Sequence, residues 1–250
     1  MKLTLLEIVQ DILNDMDSDS VNSINDTIES EEVAQIVKTC YFEMIANRNW
    51  PHLRKLFQLE HSGEPSRPNY LKIPLNLKEL EFFKYECQEE GKKLLQKTIT
   101  YQEPDDFLRI ISTRSSEDDR IDTVVDFSGS KLLILNDTAP TYWTSFDDFY
   151  IVTDSYDKAV DDTLKKSKTQ CLGYLHPTWD HIDTHIPNLP YEAFPALLAE
   201  AKSTAFAAVK QMVNQKAEQK ANRQQRWLSR KAWRVEGGVK YENYGRKGRR

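Results

Sequence analysis

The sequence predicts an α+β fold: a helical bundle domain with an inserted antiparallel β module, followed by a long C-terminal helix and an extended arm. Three observations carry that prediction. Apolar residues recur at helical spacing toward both ends of the chain, the period shortens to strand-like runs between Leu53 and Asp154, and a further helical pattern runs from about Pro190 to Gly237.

The first helix is expected over 4–16. Leu5, Ile8, Val9, Ile12, Leu13 and Met16 keep the i, i+3, i+4 stripe, and Thr4 stands three residues before Glu7 as in a capping box. The stretch 17–30 is rich in Asp, Ser and Asn and reads as a loop. A second helix begins near Ser30, where Glu31 and Glu32 suit the positive end of its dipole. Its stripe is Val33, Ile36, Val37, Cys40, Tyr41, Met44 and Ile45, and Trp50-Pro51 stops it. Each helix has one apolar face, so the two are expected to pack together and against the apolar part of 190–213.

Strands are expected at 55–59, 70–73, 80–85, 98–101, 123–127, 131–135 and 149–153, where β-branched and aromatic residues alternate with turn material. Ser128-Gly129-Ser130 between two of these runs reads as a hairpin turn. Residues 107–113 fit either a strand or a short helix. Val160, Leu164 and Leu172 suggest a helix over 156–173, and 173–189 is loop-like. The last pattern opens with Phe194, Leu197, Leu198, Ala201, Ala205, Val209 and Met212. As one helix of roughly 40 residues it would reach about 60 Å. The expected division is 1–52 for the N-terminal helices, 53–155 for the β-rich insertion, 156–222 for the returning helices and 223–250 for a basic aromatic arm.

The net charge of −5 hides a split. Residues 210–250 hold 13 Lys/Arg and 3 Glu, a net of +10, which leaves 21 basic and 36 acidic residues in 1–209, a net of −15. An acidic body thus carries a basic tail suited to nucleic acid, an anionic membrane or an acidic protein surface. The three cysteines, Cys40, Cys87 and Cys171, lie far apart, which predicts reduced thiols. The opening Met-Lys-Leu-Thr-Leu-Leu-Glu lacks the long apolar run of a signal peptide, so synthesis in the cytoplasm is expected.

Few motifs point to chemistry. His181, Asp183 and His185, with Asp180 beside them, have the residue types of a metal site, but no HExxH and no cysteine accompanies them, and a solvated loop explains them as well. Cys171 and His176 lack any nucleophile signature, and the acidic pairs Asp105-Asp106, Asp118-Asp119, Asp147-Asp148 and Asp161-Asp162 are scattered through turns. Neither a Walker pattern, a GxSxG nor a GxGxxG is present. No catalytic residue, metal or cofactor is therefore expected. The C-terminal arm is the stronger signal. Arg223, Arg226, Arg230 and Arg234 share a helix face, and Lys231, Trp227 and Trp233 add charge and large apolar area. Tyr241, Tyr244, Arg246, Arg249 and Arg250 continue the same composition. A solvated charged helix end is the plainer alternative.

Taken in order, several segments resemble the head-to-tail adaptor proteins of short-tailed bacteriophages, also called tail tubular protein A. These are the opening helix with Leu5, Val9, Ile12 and Leu13; the Arg48-Asn49-Trp50 step after the second helix; the β-rich middle; and the returning helix introduced by Leu189-Pro190 and Phe194. Together they cover most of the chain, and the long basic arm is similar to that of members with a C-terminal extension. The resemblance implies a virion protein without enzymatic activity. Such a protein forms a homo-oligomeric ring, usually of twelve copies, between the portal and the tail nozzle. It often holds tail fibres too, and genome DNA passes through its channel during ejection. The arm residues named above, Arg223 to Arg250, are then the expected portal contacts, meeting portal carboxylates. The competing expectation is a nucleic-acid-binding protein that uses the arm on phosphates.

Overall fold

The computed structural model describes residues 2–87, 95–232, 235–236 and 239–240, with side chains up to Leu228. α1 (Leu5–Asp15) and α2 (Ile28–Ala46) lead into β1 (Arg54–Phe57), β2 (Glu60–His61), β3 (Tyr70–Lys72), β4 (Leu77–Cys87) and β5 (Leu95–Tyr101). Then come α3 (Pro104–Ser112), β6 (Ile121–Val125), β7 (Lys131–Leu135), β8 (Tyr142–Thr144), β9 (Tyr150–Thr153) and β10 (Thr169–Leu175). The last elements are α4 (Phe194–Ala208), α5 (Gln215–Ala232) and the short pair β11 (Val235–Glu236) and β12 (Val239–Lys240). The chain divides into two compact units, Lys55–Leu175 and Met1–Arg54 with His176–Arg250.

The second of these units is helical. Thr4 caps α1 as its spacing to Glu7 predicts, the Glu7 amide donating to Thr4 Oγ1 at 3.2 Å and the Thr4 amide to Glu7 Oε2 at 2.7 Å. α2 begins slightly earlier than its acidic run suggests, with Thr27 as cap and Ser30 in reciprocal contact. Leu5, Ile8 and Ile12 of α1, Val33, Val37 and Tyr41 of α2, and Leu197, Ala201 and Ala205 of α4 are all sealed from solvent, and the three helices pack on one another. Each large aliphatic side chain buried this way contributes roughly 1.5–3 kcal/mol. Lys202 of α4 reaches Asp11 at 2.9 Å and Asp15 at 2.5 Å, while Cys40 Sγ lies 3.8 Å from Thr204 Oγ1.

The unit over 55–175 corrects the predicted fold class. It is not a small antiparallel module inserted in a helical bundle. It is built on an eight-stranded sheet of order β1-β10-β4-β5-β8-β9-β3-β2, and the sheet is mixed because β5 and β8 run parallel. β1 and β2 stand at opposite edges, yet only Gln58 and Leu59 separate them in sequence. In a flat sheet those edges would be about 34 Å apart, and three peptide steps span about 11 Å. The sheet is therefore curled into a half-barrel. Thr169 of β10 pins the corner, its hydroxyl accepting from the Leu59 amide at 2.9 Å. Tyr70, Leu71, Phe83, Ile99, Phe107 and Ile151 belong to its core, and none is more than 2% exposed. β6 and β7 form a separate hairpin whose turn is Ser128-Gly129-Ser130, with Gly129 at φ +85°.

Two other elements differ from expectation. The segment 156–173 is not a helix: its end is β10, antiparallel to β4 with Cys171 opposite Phe83 and a bulge between Leu172 and Gly173. Val160, expected as a helical core position, is 46% exposed. Nor does one long helix run from 190 to 237. It breaks over 209–214, where Gln211 has φ +54° and Met212 and Val213 are 64% and 76% exposed. No helix among the described residues is long and apolar enough to cross a membrane.

Candidate interaction surface

The break before α5 reverses the chain. Asn214 caps the new helix, its Oδ1 accepting from the Ala217 amide at 3.0 Å and its carbonyl from the Glu218 amide at 3.1 Å. α5 then packs along α4, and Gln225 Nε2 lies 3.4 Å from Glu200 Oε2. Residues 200 and 225 are nearly equidistant from the break, so the two helices run antiparallel. Among the described side chains of α5, Ala217, Ala221 and Leu228 are buried, at 9%, 3% and 5% exposure. Their spacing of four and seven residues makes one stripe.

At 100° per residue, Lys216, Lys220, Arg223, Arg226 and Trp227 fall within an arc of about 120° on the side away from that stripe. All five are exposed, Trp227 to 47%. Among the described residues, the four cations have no carboxylate within ion-pair distance. The face therefore joins uncompensated positive charge to a large, half-exposed apolar ring.

Arg223, Arg226 and Trp227 of the predicted arm are thus together on one face. Arg230 and Lys231 continue α5, but their side chains lie outside the described residues, as do Trp233, Arg234, Tyr241, Tyr244, Arg246, Arg249 and Arg250. Lys216 and Lys220 join the face without having been singled out by the sequence pattern. Their signal is the i, i+4, i+7 spacing from 216 to 223, which an uninterrupted helix starting at 190 obscures. The expected single lever is corrected as well: α5 as far as Ala232 folds back along its own α4.

The other candidates resolve differently. Asp183 Oδ1 accepts from the Ile24 amide at 2.8 Å and the Ser23 hydroxyl at 3.2 Å, so it braces the loop before α2. His185 lies against Trp179, whose ring centroid is 4.4 Å from that of His185 and 5.1 Å from that of Tyr41. Both ring nitrogens of His181, Nε2 of His185 and Nε1 of Trp179 are shut from solvent without a hydrogen-bond partner among the described residues. Burial pushes the His185 imidazole below its ordinary pKa, Asp180 pulls it back up, and His181 pushes it down further. No group of three metal-capable side chains gathers among the described residues.

Cys171 is fully buried in the half-barrel, and burial pushes its thiol up to about 12, the opposite of an activated nucleophile. The acidic pairs serve local structure. Asp147 Oδ1 accepts from the amides of Phe149 and Tyr150, Asp118 pairs with Arg120, and Asp161 is held by Lys165 and Lys168. No family model matches this chain, and no curated protein matches it.

Proposed function

We propose that this chain is a structural virion protein of a short-tailed bacteriophage. In that reading it is a head-to-tail adaptor that assembles as a ring, of twelve copies as the resemblance implies, between portal and tail nozzle. Genome DNA passes through the ring without sequence-specific contact, tail fibres attach nearby, and the protein performs no chemistry. The observation that carries the reading is the concentration of basic and aromatic residues over 233–250, after α5, in an otherwise acidic chain. A clustered, planar set of arginine donors suits a fixed carboxylate surface on another protein.

Two further observations support it. The segments on which the resemblance rests occupy structural corners: Trp50 Nε1 donates to the Met44 carbonyl at 2.9 Å, with Arg48 over its ring at 5.0 Å, and Phe194 opens α4 from a buried position. The helical unit is built from both ends of the chain with the half-barrel unit between them in sequence, which gives each copy two distinct bodies to present to neighbours. Because α5 is seated on α4, the portal contact in this proposal falls mainly to the residues after Ala232. The test is capture on purified portal rings. The full chain is expected to bind, and a chain truncated after Ala232, checked for an unchanged melt, is expected not to. Equal capture of both would remove the portal assignment.

A second reading is favoured by the co-location of Trp227 with four cations, an arrangement that also suits nucleic acid. It predicts DNA affinity that falls linearly in logarithm with log salt. The adaptor reading predicts weak DNA binding and strong portal binding.

A further inference from the structure

We infer that the outward face of α5 is an interface for a second copy of this chain, and that it receives the acidic end of that copy's α1–α2 pair. The inference deepens the adaptor reading by naming the contact between neighbouring subunits, and it rests on that reading only for closure into a ring.

From Leu3 to Val37 the chain holds nine carboxylates and no Lys or Arg. Several are occupied internally. Lys202 takes Asp11 and Asp15, Lys210 takes Glu29 at 3.2 Å, Glu7 closes the α1 cap, and Asp26 Oδ2 accepts from the amides of Asn22 and Ser23. Asp17, Asp19, Glu31 and Glu32 remain, all exposed and without a cation among the described residues. The Ser18 hydroxyl donates to Glu29 Oε1 at 2.7 Å, which ties the loop after α1 to the first turn of α2 and gathers these four carboxylates at one end. Opposite to them in sign stand Lys216, Lys220, Arg223 and Arg226 around Trp227.

The two sets do not face one another within one chain. α4 separates them. Lys202 points to α1, whereas Glu200, two residues before it and so about 200° around the helix, meets α5. One subunit therefore carries a cationic face on one flank of α4 and an acidic end toward the opposite flank. Complementary patches on different sides of a subunit are satisfied head to tail by successive copies, the heterologous contact that closes into rings. Trp227, half exposed in the middle of the cations, supplies the apolar anchor that turns charge steering into a docked interface.

Sedimentation velocity of the full chain tests this. Association is expected at about 50 mM salt and is expected to weaken at about 500 mM, where the screening length is a few ångströms. Arg223→Glu with Arg226→Glu brings the four-charge cationic face to a net of zero, and Asp19→Lys with Glu32→Lys does the same to the four-charge acidic end; all four side chains are exposed, so unchanged melts are the control. Each variant alone is expected to sediment as a monomer, and an equimolar mixture is expected to form a heterodimer through the one intact pair of faces. A monomeric unmodified chain, a monomeric mixture, or a double arginine variant that still associates would overturn the inference. Loss of duplex-DNA binding by the arginine variant with unchanged self-association would overturn it in favour of nucleic acid. Portal capture is measured separately and depends on residues after Ala232, so the two readings fail independently.

Discussion

Arg114 and Asp154 form an ion pair at 3.2 Å with their side chains only 12% and 5% exposed. The pair is a junction of the half-barrel unit. Arg114 Nη1 donates to the carbonyls of Leu133 and Asp154 at 2.9 and 2.6 Å, and Asp154 Oδ1 accepts from the amides of Thr141 and Tyr142 at 2.9 and 2.8 Å. It thereby fixes the end of α3 to β7 and the start of β8. Removing one partner strands a charge in a dry place.

Arg114→Met and Asp154→Leu are each expected to destabilise the protein by about 3–5 kcal/mol, the usual cost of breaking a buried pair. The double variant is expected to recover part of this loss, because no lone charge remains. It does not recover all of it, since two backbone amides lose their acceptor. Urea denaturation followed by circular dichroism measures the three values. Single variants within about 0.5 kcal/mol of the parent would show that the pair is solvated.

Gly173 sits at the bulge where β10 pairs with β4, and a Cβ there would lie 2.4 Å from the Glu79 carbonyl oxygen. Backbone on backbone cannot yield as a flexible side chain does. Gly173→Ala is expected to cost about 1–3 kcal/mol by overpacking. Gly129→Ala meets no atom within 4 Å and carries only the strain of φ +85°, which is of the order of 1 kcal/mol. A larger melting shift at Gly129 than at Gly173 would contradict the close approach at β10.

His185 gives the helical unit a dependence on pH. Its imidazole is held below the ordinary value of 6.5, first by burial, with Asp180 opposing and His181 reinforcing the shift. The unfolded chain therefore binds more protons than the folded one between the folded pKa and 6.5, so stability rises with pH there. The contribution is complete above the ordinary value and is lost as pH falls through the depressed one. His185→Phe is expected to keep the stacking on Trp179 and to flatten the acid limb of a stability–pH curve. His61 in the half-barrel unit is depressed in the same direction by burial, against a raising hydrogen bond to the Arg67 carbonyl. The double variant with His61→Phe is expected to flatten the curve further. An acid limb unchanged by both would place its origin in the carboxylates.

Local signals are legible in the sequence and long-range ones are not. Thr4 and Glu7 announce the α1 cap because both partners lie within one turn, and Ser128-Gly129-Ser130 announces its hairpin because a few consecutive residues hold the whole motif. β10 is hidden because its partner β4 lies some 84 residues away, as in the pairing of Thr169 with Tyr85, and Leu164 and Leu172 imitate a helical spacing by chance. The curl of the sheet is hidden for the same reason: it follows from which strands are edges, and edges are set by pairing. At the interaction surface, Arg223 and Arg226 are readable as one face, but the return of α5 onto α4 is not. No glycine or proline marks the break at 209–214, and Ala217 and Ala221 look neutral until α4 covers them. Asn214, a good cap residue before a polar helix, is the cue.

The seat of α5 on α4 is narrow, and that makes it separable from the rest of the fold. It rests on Ala217, Ala221 and Leu228, with a long polar contact from Gln225 to Glu200. Ala221→Glu would place a carboxylate in the middle of that seam, and an unpaired buried charge is avoided by local opening rather than by global unfolding. Trypsin reads the opening directly, because Lys216, Lys220, Arg223 and Arg226 are cleavage sites protected by helical backbone. Cleavage of Ala221→Glu at these sites is expected to accelerate about tenfold for every 1.4 kcal/mol of lost seating, while the melt of the remaining fold moves little. Asn222→Glu, one residue on and exposed, is the control and is expected to cleave as the parent does. Equal rates for both variants would mean that α5 stands free of α4 in solution, and its cations would then project outward as an uninterrupted helix predicts.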